Sequence, residues 1–190
     1  MSKVFAVRRT VLEPTTLTMG PDFSFGIMPP AARFILRGDG NIADSVGNIF
    51  FGAPLPQKAC RATEVERRTA MWLGPDEWLL IAEDEDAAKL FGTLEGSVER
   101  QPHSLVDVSH RQIGLIAQGR CTARVISAGC PLELSLGAFP VNMAVRTILA
   151  KAEIVLRRRS DDQFHIEVWR SFANYVSAFL AEAARGAPAF

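Results

Sequence analysis

From Ala32 onward, short apolar runs of strand length alternate with stretches whose apolar residues recur every three or four positions. Ala32 to Gly38 reads as a strand closed by Gly38-Asp39-Gly40, and Asp39 or Asn41 is placed to cap a helix through Ile42, Val46, Ile49 and Phe50. Gly52-Ala53-Pro54-Leu55 stops that helix. Thr69–Leu73 and Trp78–Ala82 read as a hairpin about Gly74-Pro75-Asp76-Glu77, where proline presets φ and Gly and Asp suit a tight reversal. Asp84 or Asp86 then caps a helix with Ala87, Leu90, Phe91 and Leu94 on one face.

After a polar stretch from Glu95 to Ser104 the pattern begins again. Leu105–Val108 and Ile113–Ala117 are expected strands, and Cys121, Val125 and Ala128 mark a helix stopped at Gly129 with Pro131 beyond. The run from Val145 to Leu156 reads as two short strands broken near Lys151. Ser160-Asp161-Asp162 is the expected turn before Phe164, Ile166 and Val168, and Ser171 the expected cap of a final helix carrying Phe172, Tyr175, Val176, Phe179, Leu180 and Ala183.

The halves share a strand ending at glycine (Gly38, Gly119), a helix, a Gly-x-Pro-Leu stop, a hairpin and an amphipathic helix. This order predicts an α+β fold of two pseudo-repeated ferredoxin-like units with antiparallel sheets. The expected division is an irregular N-terminal arm over 1–31, a first unit over 32–97, a second over 104–185, and a tail over 186–190. Phe23, Phe25, Ile27 and Met28 in the arm, and Phe190 in the tail, lie outside any periodic pattern; the arm is expected either to pack onto its own domain or, with the tail, to meet a partner subunit.

Hydrophobic residues at 48% and charged residues at 22% give an ordinary globular balance, which excludes a disordered chain. Lysine plus arginine and aspartate plus glutamate both total 21, so there is no cationic surplus for non-specific nucleic-acid binding. Zero net charge also favours association, including self-association of the free chain. No apolar run reaches the ~20 residues of a membrane span. Arg8-Arg9 interrupts the only apolar run near the start, so no secretory signal is expected. Cys60, Cys121 and Cys130 do not form a disulfide framework, and a reducing cytoplasm is the expected compartment.

Asp107-Val108-Ser109-His110-Arg111 places Asp, Ser and His together, but in extended chain Ser109 and His110 point apart. A network of turn hydrogen bonds is the expected role. His103 and His165 stand alone, with His165 on the face opposite Phe164 and Ile166 and therefore expected in solvent. Cys121 and Cys130 lack a third metal ligand nearby, and Cys121 is expected in the core. No glycine-rich phosphate turn is present, so no catalytic, cofactor-binding or metal residue is assigned. Arg157 and Arg159 share a strand face and are suited to gripping an anion, but Asp161 and Asp162 follow at once, so a solvated hairpin tip is expected. Trp72 and Trp78 flank one turn and belong to a core or an interface.

Several runs carry a resemblance: Trp72-Leu73-Gly74-Pro75-Asp76-Glu77-Trp78-Leu79-Leu80; Asp107 to Arg111; Gly129-Cys130-Pro131-Leu132-Glu133-Leu134; Arg146-Thr147-Ile148-Leu149; and Val168-Trp169-Arg170-Ser171-Phe172-Ala173. In order, from about Ala32 to Leu180, they resemble the gamma subunits of heterotetrameric sarcosine oxidase, a family similar to the folate-binding aminomethyltransferases of glycine cleavage. The resemblance implies an aminomethyltransferase-like fold without its last domain, and a non-catalytic assembly subunit. It implies alpha, beta and delta partner subunits that carry FAD, FMN, NAD, tetrahydrofolate and zinc. The competing expectations are a stand-alone folate-binding aminomethyltransferase-like protein and an unrelated small enzyme using Asp107 and His110.

Overall fold

The computed structural model describes residues 17–18 and 22–186. Among these residues eleven strands form two antiparallel sheets. The strands are β1 (Leu17–Thr18), β2 (Ser24–Ile27), β3 (Ala31–Arg37), β4 (Ala62–Val65), β5 (Arg68–Gly74), β6 (Glu77–Glu83), β7 (Ser104–Asp107), β8 (Gln112–Gln118), β9 (Ala144–Leu149), β10 (Ala152–Ser160) and β11 (Gln163–Trp169). The helices are α1 (Gly40–Phe51), α2 (Ala87–Val98), α3 (Thr122–Ser127) and α4 (Ala173–Gly186), the last preceded by a 3₁₀ turn at Arg170–Phe172. Among the described residues no helix is long and apolar enough to cross a membrane.

Local chemistry sets most boundaries. The Asp39 carboxylate accepts from Ile42 N at 3.0 Å and opens α1, while Gly52 closes it in the left-handed region at φ 75°. Asp86 caps α2 in the same way through Lys89 N, at 2.9 Å. The Gly74–Glu77 reversal joins β5 to β6 with a register shift after Trp72. The predicted break near Lys151 is the tight turn between β9 and β10, with Ala150 at φ 52°. Ser171 lies inside the 3₁₀ turn rather than at a helix cap, and Cys121 is the residue before α3 rather than within it.

The five-stranded sheet runs β4-β5-β6-β3-β7 and the six-stranded sheet β1-β2-β8-β11-β10-β9. Leaving aside the outer strand β4, the first follows the ferredoxin-like order for the series β3, α1, β5, β6, α2, β7. The second repeats it with β8, α3, β10, β11 and α4, and its last position is filled from the start of the chain by β2. The two units are therefore interlocked: the expected arm is a strand of the second sheet, packed on its own fold and not held for a partner, and β7, expected to open the second unit, closes the first. Phe23 and Phe25 are each 3% exposed and Met28 8%, packed into their own fold. The segment is too short and too proline-flanked to show a period, yet it supplies a strand to the second sheet. Phe190 lies outside the described residues.

Each sheet turns one face to its helices. Phe34, Leu36, Trp78 and Leu80 pack under Ile42, Val46 and Phe50 of α1 and Leu90 and Leu94 of α2. Leu115, Ile154, Leu156, Phe164, Ile166 and Val168 pack under Val125 and Ile126 of α3 and Val176 and Leu180 of α4. The remaining faces meet each other through a smaller apolar cluster that includes Met71, Leu79, Ile81, Ala144 and Val155. Burial on both faces explains why β6 reads as an unbroken apolar run.

Candidate functional site

The layer between the sheets carries most of the buried charge. On β3, Arg33 points into it and donates to Glu167 of β11 through Nε at 2.8 Å and a terminal nitrogen at 2.9 Å. His165 Nε2 lies 2.8 Å from the same carboxylate, and all three side chains are at most 2% exposed. Gly114 pairs with Glu167 across β8 and β11, and a Cβ there would press on both the carboxylate and the guanidinium. Glycine thus makes room for the pair. Burial by itself would raise the Glu167 pKa. The positive charge of Arg33 and the His165 hydrogen bond outweigh it and hold the carboxyl down at about 2.

Two further clusters cross the same layer. Glu77 of β6 accepts from Arg146 of β9 at 2.5 Å and from Arg37 of its own sheet at 2.7 Å. Glu64 of β4 accepts from Arg157 at 2.7 Å and Arg159 at 2.6 Å, both on β10. Burial opposes ionisation of both carboxyls, and the paired arginines override it, so each titrates below its ordinary range. Every cluster joins the two sheets by a carboxylate held by guanidinium donors. These are positions where an unpaired charge would be costly.

The geometry corrects three sequence expectations. His165 is buried, because the face opposite Phe164 and Ile166 meets the other sheet instead of water. Arg157 and Arg158 are each 2% exposed, so they are no solvated tip. Arg157 and Arg159 do share a face and do grip an anion, and that anion is Glu64. Arg158 points the other way, with its guanidinium carbon 4.4 Å from the Phe164 ring centroid, and donates to the Leu134 and Asp161 carbonyls. His103 is not alone: it contacts Glu95 at 3.2 Å and the Gln101 carbonyl at 2.8 Å. Sequence reasoning missed β4, and with it Glu64, whose only signal is a short Ala-Thr-Glu-Val alternation.

Asp107, Ser109 and His110 form a turn, as expected. The Asp107 carboxylate accepts from Ser109 N at 2.8 Å, Ser109 Oγ accepts from Arg33 N at 2.9 Å, and His110 points to solvent. Ser109 is thus tied to the backbone crossing between the sheets, which Val108 N reinforces by donating to Arg33 O. Cys121 and Cys130 are buried. Trp78 is 1% exposed, with Nε1 donating to Pro56 O at 2.7 Å, whereas Trp72 is half-buried.

At one end the sheets part to leave a cleft of about 280 Å³. Ile35, Leu73, Val108 and Val155 form its apolar walls, and Arg37, Arg111, Arg146, Glu153 and Trp169 contribute to its polar lining. The Arg111 guanidinium stacks over Trp169 at 5.0 Å. Gln112 lines the same space and its side-chain oxygen is buried without a hydrogen-bond partner. The three clusters hold their charge in fixed pairs. Among the described residues that line the clusters and the cleft, no nucleophile stands within reach of a base.

Comparison with known proteins agrees with this architecture. The model of the "Sarcosine oxidase, gamma subunit family" matches residues 39–186. A sarcosine oxidase subunit gamma from Corynebacterium sp. (strain U-96) is 34% identical over 122 residues, 64% of this chain and 58% of that protein. Its counterpart from Corynebacterium sp. (strain P-1) is 32% identical over 133 residues, 70% of this chain and 64% of that one. The aligned region therefore spans about three fifths of the length of these relatives. A chain of the heterotetrameric sarcosine oxidase from Corynebacterium sp. U-96, solved with pyrrole 2-carboxylate, superposes with a TM-score of 0.80 at 28% identity, covering 88% of this chain and 86% of that one. The glycine cleavage system aminomethyltransferase T from Bartonella henselae shares the fold, with a TM-score of 0.61 at 13% identity, covering 86% of this chain and 49% of that one. The chain belongs to the sarcosine oxidase gamma subunit family.

Proposed function

We propose that this chain is a non-catalytic, complex-building subunit of a cytoplasmic sarcosine oxidase. In this reading the complex oxidatively demethylates sarcosine to glycine and passes the one-carbon unit to tetrahydrofolate. Alpha, beta and delta partner subunits carry that chemistry, with FAD, FMN, NAD and zinc. The observation that carries the proposal is the family match over residues 39–186.

The site chemistry supports the non-catalytic half. Glu64, Glu77 and Glu167 are each bound by guanidinium groups, which keeps them ionised and spoken for rather than poised to exchange protons near neutral pH. Ser109 and His110, neighbours in sequence, are directed one into the fold and one into solvent.

The test is sarcosine-dependent peroxide formation by the purified chain, measured beside the complex it forms with its partner chains. The complex is expected to turn over and the chain alone to stay at the level of a heat-killed control. Turnover by the chain alone, lost on His110→Ala with the fold intact, would overturn the proposal in favour of an enzyme using Asp107 and His110.

A further inference from the structure

The open end of the inter-sheet cleft differs from the rest of the surface. On the six-stranded sheet, Ile148 pairs with Glu153 and Trp169 with Gln112, and Ile154 with Val168 sets Glu153 beside Trp169. These four residues form one row across β9, β10, β11 and β8. Ile148 is 48% and Trp169 41% exposed. Across the opening stands Val106 of β7, 49% exposed, on the edge strand of the five-stranded sheet. Val106 and Trp169 line the opening itself, and Ile148 stands beside the lining residue Glu153 in the same row.

The polar groups there add direction. Arg37, Arg111 and Arg146 line the opening, opposed by Glu77 and Glu153, since Glu167 is already neutralised by Arg33. The lining thus keeps a surplus positive charge. Arg37 and Arg146 each place one terminal nitrogen on Glu77, and a guanidinium has five N–H donors, so further donors stay available. Among the described residues no carboxylate pairs with Arg111, whose guanidinium lies on Trp169. The buried Gln112 oxygen lacks a donor, which an incoming N–H would supply.

We propose that this opening is the seat of a partner subunit: an extended segment with an apolar side chain and a carboxylate. The apolar side chain packs among Val106, Ile148 and Trp169. The carboxylate meets the arginines, and a backbone N–H donates to Gln112. Among the described residues nothing pairs with the outer side of β7, which favours an extended occupant, because an edge strand offers backbone groups for another strand to join. This inference rests on the subunit reading above and adds to it the surface and the chemistry of the segment received.

The test co-produces the full chain, tagged, with its partner chains and measures how much of them is captured. Arg111→Glu and Ile148→Asp change exposed rim groups, and Lys58→Glu changes an exposed charge in the loop after α1. Each rim variant is expected to lower capture about tenfold while melting alone like the wild type, and Lys58→Glu is expected to capture normally. Raising the salt should weaken capture by the wild type more than by Arg111→Gln. Full capture by both rim variants, or equal loss in Lys58→Glu, overturns this inference and leaves the subunit reading standing. No capture by the wild type overturns the subunit reading itself.

Discussion

Replacing Glu167 with glutamine probes the layer that holds the two sheets together. The change keeps the side-chain shape but removes the charge that balances Arg33, in a site where both residues are at most 2% exposed. Leaving a buried guanidinium without its counter-charge costs about 3–5 kcal/mol. The pH dependence gives a second estimate of the same interaction. A carboxyl ionising at about 2 in the folded chain and at the ordinary 4.5 when unfolded contributes roughly 3 kcal/mol. The sign follows from the depressed value. The contribution is complete above pH ~4.5 and is lost as the pH falls through the folded pKa near 2.

Urea denaturation of wild type and Glu167→Gln at pH 7 and pH 3 measures both quantities. The variant should be less stable by about 3–5 kcal/mol at pH 7, and the gap should narrow at pH 3. The double change Arg33→Met with Glu167→Leu should recover much of the loss, because it removes both charges together. A single-variant cost below about 1 kcal/mol, with an unchanged acid profile, would refute the reasoning.

Three other changes test the packing. Phe25→Ala should cost about 3–5 kcal/mol in urea denaturation, as for any buried phenylalanine, whereas an arm held only by a partner would give less than about 1. Trp78→Ala should cost a similar amount and more than Trp72→Ala, since Trp78 alone of the two is fully buried; equal costs would contradict this burial difference. Gly119→Ala should be strongly destabilising by thermal melting, because Gly119 sits at φ 120° and a Cβ would overlap the Asp22 carbonyl; a wild-type melting temperature would contradict that placement.

The sequence made the helices and central hairpins readable where one residue type has one physical job. Asp39 and Asp86 cap, Gly52 closes a helix, and Phe164, Ile166 and Val168 alternate against α3 and α4. The two-unit repeat was legible for the same reason, since both units carry the same punctuation. The placement of β2 in the second sheet was not. β2 has four residues in a short stretch flanked by Pro21 and Pro29, too few to reveal a period, and its place is fixed by pairing with β8 far along the chain.

The inter-sheet layer was hidden by its chemistry. Along β11 the residues between the apolar positions include His165 and Glu167, which by alternation alone belong in water. Their burial depends on Arg33, distant in sequence. Arg157 and Arg159 were legible as an anion grip but not their anion, because Glu64 lies on another sheet. Charged residues buried in pairs look like surface residues until both partners are placed.

Under the proposed function this chain helps to build a sarcosine oxidase and does no chemistry alone. Native mass spectrometry of the tagged chain purified from its own source, with the peroxide assay run on the same fractions, tests it most directly. The expected result is an assembly that joins this chain to larger flavin-bearing chains, with sarcosine-dependent peroxide formed only by fractions that contain the assembly. A chain recovered free of such partners, or peroxide formation by fractions holding this chain alone, would contradict it.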